Sequence, residues 1–136
     1  MPETRTATLK AAVIGYGVGA KHAAAYHAMD GAELVAVCDF DVGKRAIAAA
    51  AFPSIKVVSD AAEILSDPSI DLVSIASHDD AHHAQAVAAL STGKHVFVEK
   101  PLYLSREEAV EIRALLKTNS ELRLSSNFNL RTAPRF

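Results

Sequence analysis

Residues 13–21 read VIGYGVGAK, a glycine-rich turn between an apolar run and an alanine-rich run. The apolar run, residues 9–14, predicts a buried strand, and residues 21–29 predict a helix. Glycines at a strand-to-helix turn allow a tight bend and the close approach of a bulky anion. The free N–H groups and the dipole of the helix start then attract that anion. The stretch therefore predicts an anion-binding turn at the start of an α/β domain.

The spacing of Gly15, Gly17 and Ala20 matches G-x-G-x-x-A, the phosphate-binding turn of a dinucleotide fold. A glycine turn that only reverses the chain has the same pattern, so the next strand matters. Residues 32–38 form a second apolar run that leads to Asp39, 24 residues after Gly15. In dinucleotide folds a carboxylate about 20 residues downstream accepts the ribose hydroxyls. Asp39 is therefore predicted to bind ribose, in preference to a plain role in the turn.

The composition predicts one globular domain with a real core, because half of the 136 residues are hydrophobic and 22% are charged. The net charge of −2 and the absence of a basic block argue against nucleic acid as a partner. No apolar run approaches the ~20 residues of a membrane span. Residues 1–8 are polar and are predicted to form a disordered tail. Cys38 is the single cysteine, which suits the cytoplasm, and its place predicts buried packing rather than a reactive thiol.

Strands and helices alternate along the whole chain. The predicted strands are residues 9–14, 33–39, 55–58, 71–76, 95–98 and 122–128, and the predicted helices are residues 21–29, 42–51, 60–65, 81–91 and 105–117. Capping boxes are predicted at Asp60 with Glu63 and at Ser105 with Glu108. This alternation predicts an α/β fold, a doubly wound parallel sheet (Rossmann fold) with right-handed crossovers and the strand order 3-2-1-4-5-6.

The chemically distinctive residues follow the ends of the predicted strands. The glycine turn follows the first strand, Asp39 the second, residues 77–80 the fourth, residues 99–101 the fifth, and residues 127–131 end the sixth. Because ligands bind beyond the carboxyl ends of the strands in such sheets, this edge is the predicted site.

Several of these stretches resemble the N-terminal domain of the glucose–fructose oxidoreductase / inositol dehydrogenase (Gfo/Idh/MocA) family. The similar stretches are residues 12–22, 34–39, 76–82 and 93–102, the last of which carries the Glu-Lys-Pro signature, and residues 129–134. The chain departs from the family at Ala20, where many members have glycine, and at residues 77–79, where members often have Thr-Pro-Asn. The resemblance implies a Rossmann domain over residues 9–128. It also implies that residues 129–136 start the connection to a second α/β domain, absent from this chain, in a homo-oligomeric enzyme.

The resemblance also implies the reaction, a reversible hydride transfer between a nicotinamide and a carbinol carbon of a sugar or polyol. The implied cofactor is NAD, although Lys44 and Arg45 could reach the extra phosphate of NADP. Lys100 is the implied catalytic residue, since an ammonium can stabilise a developing alkoxide and help to pass its proton. The resemblance places His82 in a loop beside the nicotinamide. Glu99 is expected to hold Lys100 or a ribose hydroxyl.

The predicted cofactor-binding residues are Gly15, Tyr16, Gly17, Val18, Gly19, Ala20, Asp39, Phe40, Ser77, His78, His82, Glu99, Lys100 and Asn129. Among them, Tyr16 is expected to line the pyrophosphate and Phe40 to flank the adenine. Sharp reversal of the chain predicts a cis peptide bond before Pro101.

Other conspicuous polar residues are assigned structural roles. No metal site is predicted, because Asp79 and Asp80 suit helix N-caps and His82 and His83 would point to different faces. A second group of residues is predicted to lie away from the cofactor, either on the surface of the first helix or at the opposite edge of the sheet: His22, His27, Lys94 and His95.

Three other functions have to be weighed. A methyltransferase would fit Gly15, Gly17 and Gly19, but it would usually have a carboxylate where this chain has Val13. A short-chain dehydrogenase would need Tyr-x-x-x-Lys, which does not occur. The main rival is a non-catalytic module that binds the dinucleotide, and the chain alone is predicted to have negligible dehydrogenase activity.

Overall fold

The computed structural model describes residues 7–127, and their strands form one parallel sheet. The strands are β1 (Leu9–Ile14), β2 (Ala32–Cys38), β3 (Lys56–Val58), β4 (Leu72–Ile75), β5 (His95–Glu99) and β6 (Leu124–Asn127). The helices are α1 (Gly19–Ala28), α2 (Val42–Ala51), α3 (Ala62–Leu65), α4 (His82–Ser91) and α5 (Arg106–Thr118). The sheet order is β3-β2-β1-β4-β5-β6, which confirms the predicted doubly wound topology.

Alternate residues of the central strands are buried on opposite faces of the sheet, because helices cover both faces. Ala11 and Val13 of β1 pack in the cluster beneath α1 and α2. Ala12 and Ile14 pack in the second cluster, which includes Ile112 of α5 and residues of α3 and α4. This two-sided burial explains why the strands read as continuous apolar runs.

The starts of four helices differ from the prediction, by one residue at α4 and α5 and by two at α1 and α3. Helix α1 begins at Gly19, two residues earlier than predicted, because the last residues of the glycine turn already have helical geometry. Before α4, residues Asp79–Ala81 form a single 3₁₀ turn, and neither Asp79 nor Asp80 caps a helix with its side chain. The predicted capping role of these two aspartates was therefore wrong.

The capping boxes have different outcomes. Ser105 accepts a hydrogen bond from the Glu108 N–H, as predicted, and the Glu108 carboxylate accepts one from the Leu104 N–H. At Asp60 the carboxylate instead accepts from the Ala62 N–H at 2.9 Å.

Lys94 fastens the amino edge of the sheet, at the end opposite the predicted site. Its side chain is fully buried, and its ammonium donates to the backbone carbonyls of Asp67 and Ile70. Burial lowers the pKa of Lys94. The residue therefore ties the turn before β4 to the start of β5. No helix within residues 7–127 combines the length and apolar character that a transmembrane span requires.

Candidate functional site

A cavity of about 370 Å³ opens at the carboxyl ends of β1, β2 and β4. Six predicted cofactor-binding residues line it: Gly15, Gly17, Asp39, Phe40, Ser77 and His78. The predicted list omitted several other lining residues, of which the charged or polar ones are Lys44, Ser59, Asp60, Asp80 and Gln85. The edge predicted from the strand ends is therefore concave, and it carries several polar side chains where the glycine turn meets β2 and β4.

Gly15 occupies a position that only glycine can fill. Its φ is +92°, and a Cβ there would lie 2.4 Å from the carbonyl oxygen of Ala76 and 2.8 Å from the nitrogen of Ser77. Its own N–H donates to the carbonyl of Cys38 at 2.8 Å. The turn is thus held between the ends of β2 and β4, with its backbone against the cavity.

The close contact between α1 and β1 is made at Gly19, not at Ala20. Gly19 is buried, and a Cβ on it would lie 2.8 Å from Cγ1 of Val13. Ala20 is half-buried and packs beside the cluster beneath α1. In dinucleotide folds the third glycine permits close helix–strand packing. Here Gly19 provides that space, one residue before the position expected from the motif.

Tyr16 contributes its backbone rather than its ring. The ring is buried in the cluster beneath α1 and α2 and does not line the cavity. The Tyr16 N–H donates to Oδ2 of Asp39 at 2.9 Å. Val18, which is 58% exposed, lies at the start of α1 outside the cavity lining.

Asp39 connects the end of β2 to both neighbouring loops. Besides the bond from Tyr16, its Oδ1 accepts from the Asp41 N–H at 2.8 Å. Each carboxylate oxygen retains a lone pair, because an ionised carboxylate has about four acceptor sites. The residue can therefore accept hydrogen bonds from ribose hydroxyls without giving up its structural bonds.

The two basic residues that follow Asp39 behave differently. Arg45 donates through Nη1 to the carbonyls of Asp39 and Phe40, at 2.9 and 2.8 Å. Lys44 lines the cavity, and its Nζ lies 3.6 Å from where a Cβ of Gly17 would be. Arg45 is therefore committed to the backbone, and Lys44 is the cation that faces the glycine turn.

Carboxylates outnumber cations among the side chains that line the cavity. Asp60 and Asp80 line it together with Asp39, and Lys44 is the only lysine or arginine in the lining found within residues 7–127. The carboxylates of Asp39 and Asp60 also raise the pKa of the neighbouring Cys38.

Cys38 is buried at the end of β2, as predicted, and it is expected to react slowly. Burial, with help from nearby carboxylates, raises its pKa from 9.0 to about 11. Because the thiolate is the nucleophile, alkylation by iodoacetamide at pH 8 should be about 100-fold slower in the native than in the urea-unfolded chain. Mass spectrometry of quenched samples measures both rates.

The same shift predicts a pH dependence of stability. The native thiol holds its proton more tightly than the unfolded one, so its contribution is complete below pH 9 and is lost as the pH rises to about 11. Cys38→Ser, which lacks the thiol, is the control for this pH dependence of stability. In the alkylation experiment, equal rates in the native and the unfolded chain would contradict the raised pKa.

Two aromatic rings border the cavity. Phe40 is 72% exposed, and its ring lies beside that of His78, with centroids 5.6 Å apart and a tilt of 33°. Nearby, the Ser77 hydroxyl donates to Oε1 of Gln85 at 2.5 Å. Gln85 lies in the first turn of α4, and no pattern in the sequence distinguished it.

His82 lies in the core rather than in a loop, which corrects the placement taken from the family resemblance. It is the first residue of α4 and is 1% exposed. Its Nδ1 lies 2.8 Å from the carbonyl oxygen of Pro101, and its Nε2 lies 2.9 Å from that of Ser77. Carbonyl oxygens only accept, so each contact is a hydrogen bond when that ring nitrogen carries the proton. His82 thus lies between the loop after β4 and the carbonyl of Pro101, the residue that follows Lys100. The Lys100–Pro101 peptide bond is cis, as predicted.

Lys100 and Glu99 point to different surroundings. Lys100 is exposed at the end of β5, outside the lining of the cavity, and none of the ion pairs within residues 7–127 includes it. Glu99 instead contacts Nε2 of His22 at 2.7 Å and the Nδ2 amide of Asn127 at 3.1 and 3.2 Å. The His22 side chain is only 11% exposed, so its assignment to the surface was wrong. Asn129 lies outside the described residues.

The histidines after β4 do not converge on a metal. His83 faces Glu108 and Glu111 of α5, at 3.6 and 3.2 Å, whereas His82 faces the core. Within the part of the chain that the structure describes, no group of three or more His, Cys, Asp or Glu side chains is arranged to hold a metal ion.

Comparison with known proteins agrees with this geometry. The Gfo/Idh/MocA family model, an oxidoreductase family with an NAD-binding Rossmann fold, matches residues 9–128. The oxidoreductase YdgJ of Escherichia coli, itself uncharacterised, is 37% identical over 112 residues, which are 81% of this chain and 32% of that protein. Inositol 2-dehydrogenase 1 of Saccharopolyspora erythraea is 37% identical over 110 residues, 79% of this chain and 33% of the relative.

A solved structure has the same fold over most of this chain. The scyllo-inositol dehydrogenase of Lactobacillus casei, crystallised with NAD(H) and scyllo-inositol, aligns with a TM-score of 0.84 at 27% identity. The alignment covers 93% of this chain and 38% of that one. The chain therefore spans about a third of the length of the curated relatives it matches. Through this NAD-binding Rossmann domain, the chain belongs to the Gfo/Idh/MocA family of oxidoreductases.

Proposed function

We propose that the chain is the cofactor-binding domain of an NAD-dependent oxidoreductase that acts on a carbinol carbon of a sugar, polyol or related small molecule. The observation that carries the proposal is that the glycine turn and the Asp39 carboxylate line the same cavity. The domain comprises residues 9–128, and residues 129–136 lead from it to a substrate domain. The longer protein is a cytoplasmic homo-oligomer whose partners are the cofactor and its substrate, with no nucleic acid or membrane involved.

The residues of the cavity fit a dinucleotide. Gly15 and Gly17 line the cavity with backbone alone, which leaves room for a pyrophosphate. Asp39 has free acceptor sites for ribose hydroxyls, and the exposed ring of Phe40 is available to an adenine. The cofactor, when bound, supplies the hydride acceptor or donor.

Lys100 supplies the charge that the substrate needs. It leaves the same edge of the sheet as the cavity, and none of the ion pairs within the described residues neutralises its ammonium. Such a group stabilises an alkoxide as it develops and can hold or release a proton at Nζ. The His82 ring lies 2.8 Å from the carbonyl oxygen of Pro101, and this contact supports the chain directly after Lys100.

The carboxylates of Asp39 and Asp60, which both line the cavity, predict a preference between the two nicotinamide cofactors. We expect NAD⁺ to bind the chain about tenfold tighter than NADP⁺, because Asp39 and Asp60 repel a phosphate at the ribose. Calorimetric titration with each cofactor measures the ratio. In Asp39→Asn the ratio should fall, whereas Lys44→Met should leave NAD⁺ the tighter ligand. Tighter binding of NADP⁺ by the parent chain would contradict the assignment.

Cofactor binding and turnover together test the proposed function. The 136-residue chain should bind NADH, with a change in its fluorescence, but should not turn over scyllo-inositol, myo-inositol or glucose. The reason is that the substrate side of the nicotinamide is completed by the second domain. A chain that fails to bind NADH would contradict the function. Steady turnover by the chain alone would show that no second domain is needed.

A further inference from the structure

A polar cluster outside the cavity joins three elements where β5 ends. The Glu99 carboxylate lies between His22 of α1 and Asn127 of β6, with the His22 Nε2 at 2.7 Å and the Asn127 Nδ2 at 3.1 and 3.2 Å from its oxygens. The side chains of His22 and Glu99 are only 11% and 15% exposed. With Glu99 ionised, the proton in the histidine contact lies on Nε2. The carboxylate thus receives donors from both neighbouring elements.

Each donor in this cluster has its own anchor. Asn127 is the register partner of Glu99 in the neighbouring parallel strand, so both side chains stand on the same face of the sheet. The His22 ring meets Phe97 edge-on, with centroids 5.2 Å apart and planes at 62°. Phe97 precedes Glu99 by two residues in β5 and shares its face. The ring and the amide are therefore preorganised to hold the carboxylate.

The cluster bears on Lys100, which is the next residue along the chain. Successive side chains of a strand point to opposite faces, so Glu99 can pair with Lys100 only by turning away from its own face. A charge-assisted pair would favour that turn, since it is stronger than a neutral hydrogen bond. Among residues 7–127, however, no ion pair joins Glu99 to Lys100, and the contacts of the carboxylate go to His22 and Asn127.

We infer that His22 and Asn127 are positioning residues for Lys100. They hold the Glu99 carboxylate against α1 and β6, which leaves the Lys100 ammonium free for the reacting oxygen. The inference rests on the proposed function, in which Lys100 acts on the substrate. Glu99 and Lys100 then have separate roles. The Glu99 carboxylate holds the end of β5 in place, and the Lys100 ammonium acts on the substrate.

The reactivity of Lys100 tests this inference in the 136-residue chain. Acetylation by acetic anhydride, followed by peptide mapping, gives the rate at Lys100 relative to the exposed Lys117 of α5. His22→Phe keeps a ring against Phe97 but removes the donor, so Glu99 should turn to Lys100. Because a paired ammonium gives up its proton less readily, acetylation of Lys100 should slow by about threefold or more.

Two matched variants separate this effect from a loss of packing. His22→Gln retains an N–H donor and should keep the rate within about twofold of the parent chain. The double variant His22→Phe/Glu99→Gln should regain the parent rate, because a neutral amide cannot pair with the ammonium. Asn127→Leu should slow Lys100 in the same direction as His22→Phe, and it decides the outcome if that variant does not fold by circular dichroism.

The opposing results are equally defined. An unchanged Lys100 rate in the folded His22→Phe or Asn127→Leu variant would overturn the inference, as would an equally slow rate in the double variant. The assay needs no cofactor, so it is independent of the NADH titration. Loss of NADH binding by the parent chain would contradict the proposed function, whereas an unchanged Lys100 rate contradicts only the positioning role.

Discussion

Gly15→Ala is expected to destabilise the folded chain by about 2–5 kcal/mol and to abolish measurable NADH binding. The φ of +92° carries the cost of a left-handed residue with a side chain, about 1–2 kcal/mol. The new Cβ would also lie 2.4 Å from the Ala76 carbonyl oxygen. That carbonyl cannot easily move, because the Ala76 N–H donates to the Ile14 carbonyl at 2.8 Å within the sheet. Urea unfolding and calorimetric titration measure the two effects.

Two other glycines serve as controls for Gly15. Gly31 has a φ of +87° but no atom within 4 Å of the place where a Cβ would lie, so Gly31→Ala should cost only about 1–2 kcal/mol. Gly17→Ala meets nothing closer than the Lys44 Nζ at 3.6 Å and should leave stability nearly unchanged while it weakens NADH binding. If Gly15→Ala is no less stable than Gly31→Ala, the contact with β4 does not constrain the turn.

Lys94→Met is expected to lower the free energy of unfolding by about 1–3 kcal/mol, although the residue lies far from the cofactor. Methionine fills much of the same volume but provides no donor, so the carbonyls of Asp67 and Ile70 lose their ammonium partner. NADH affinity should stay within about twofold, because the substitution is at the opposite edge of the sheet. Lys117→Met, on the exposed end of α5, is the matched control and should change stability by less than about 0.5 kcal/mol.

The pH dependence of the free energy of unfolding is a second test of the role of Lys94. Burial lowers its native pKa, so between that pKa and the unfolded value of about 10.4 the unfolded chain binds more protons. The contribution of Lys94 to stability therefore rises with pH in that window. Cys38 has the opposite sign in an overlapping window, so the difference between the parent chain and Lys94→Met isolates the lysine. A flat difference curve would contradict the burial of its charge.

The sequence predicted the fold because its signals are local. Runs that end in glycine or a carboxylate, such as residues 9–14 before Gly15, define β1, β2 and β5 without reference to distant residues. The right-handed rule for crossovers then leaves few strand orders to consider. The boundaries that failed are those set by backbone geometry, such as the start of α1 at Gly19 and the 3₁₀ turn before α4.

The contacts of the site residues could not be predicted in the same way. Glu99 contacts His22 and Asn127, which are 77 and 28 residues away in the chain. The direction of the Tyr16 ring depends on the dihedral angles of a turn, which the residue names do not specify. The His82 ring contacts the carbonyls of Ser77 and Pro101, and the contact with Pro101, 19 residues away, exists only in the folded chain.

The bonding of Asp39 has a consequence for protein engineering. To change the cofactor preference of such a domain from NAD⁺ to NADP⁺, one would replace the carboxylate at the end of β2 by a small or neutral residue. In this chain the same carboxylate joins the glycine turn, through Tyr16, to the loop that starts α2, through Asp41. A redesign for NADP⁺ would have to restore an acceptor for both N–H groups, so discrimination between cofactors and the shape of the binding edge have to be changed together.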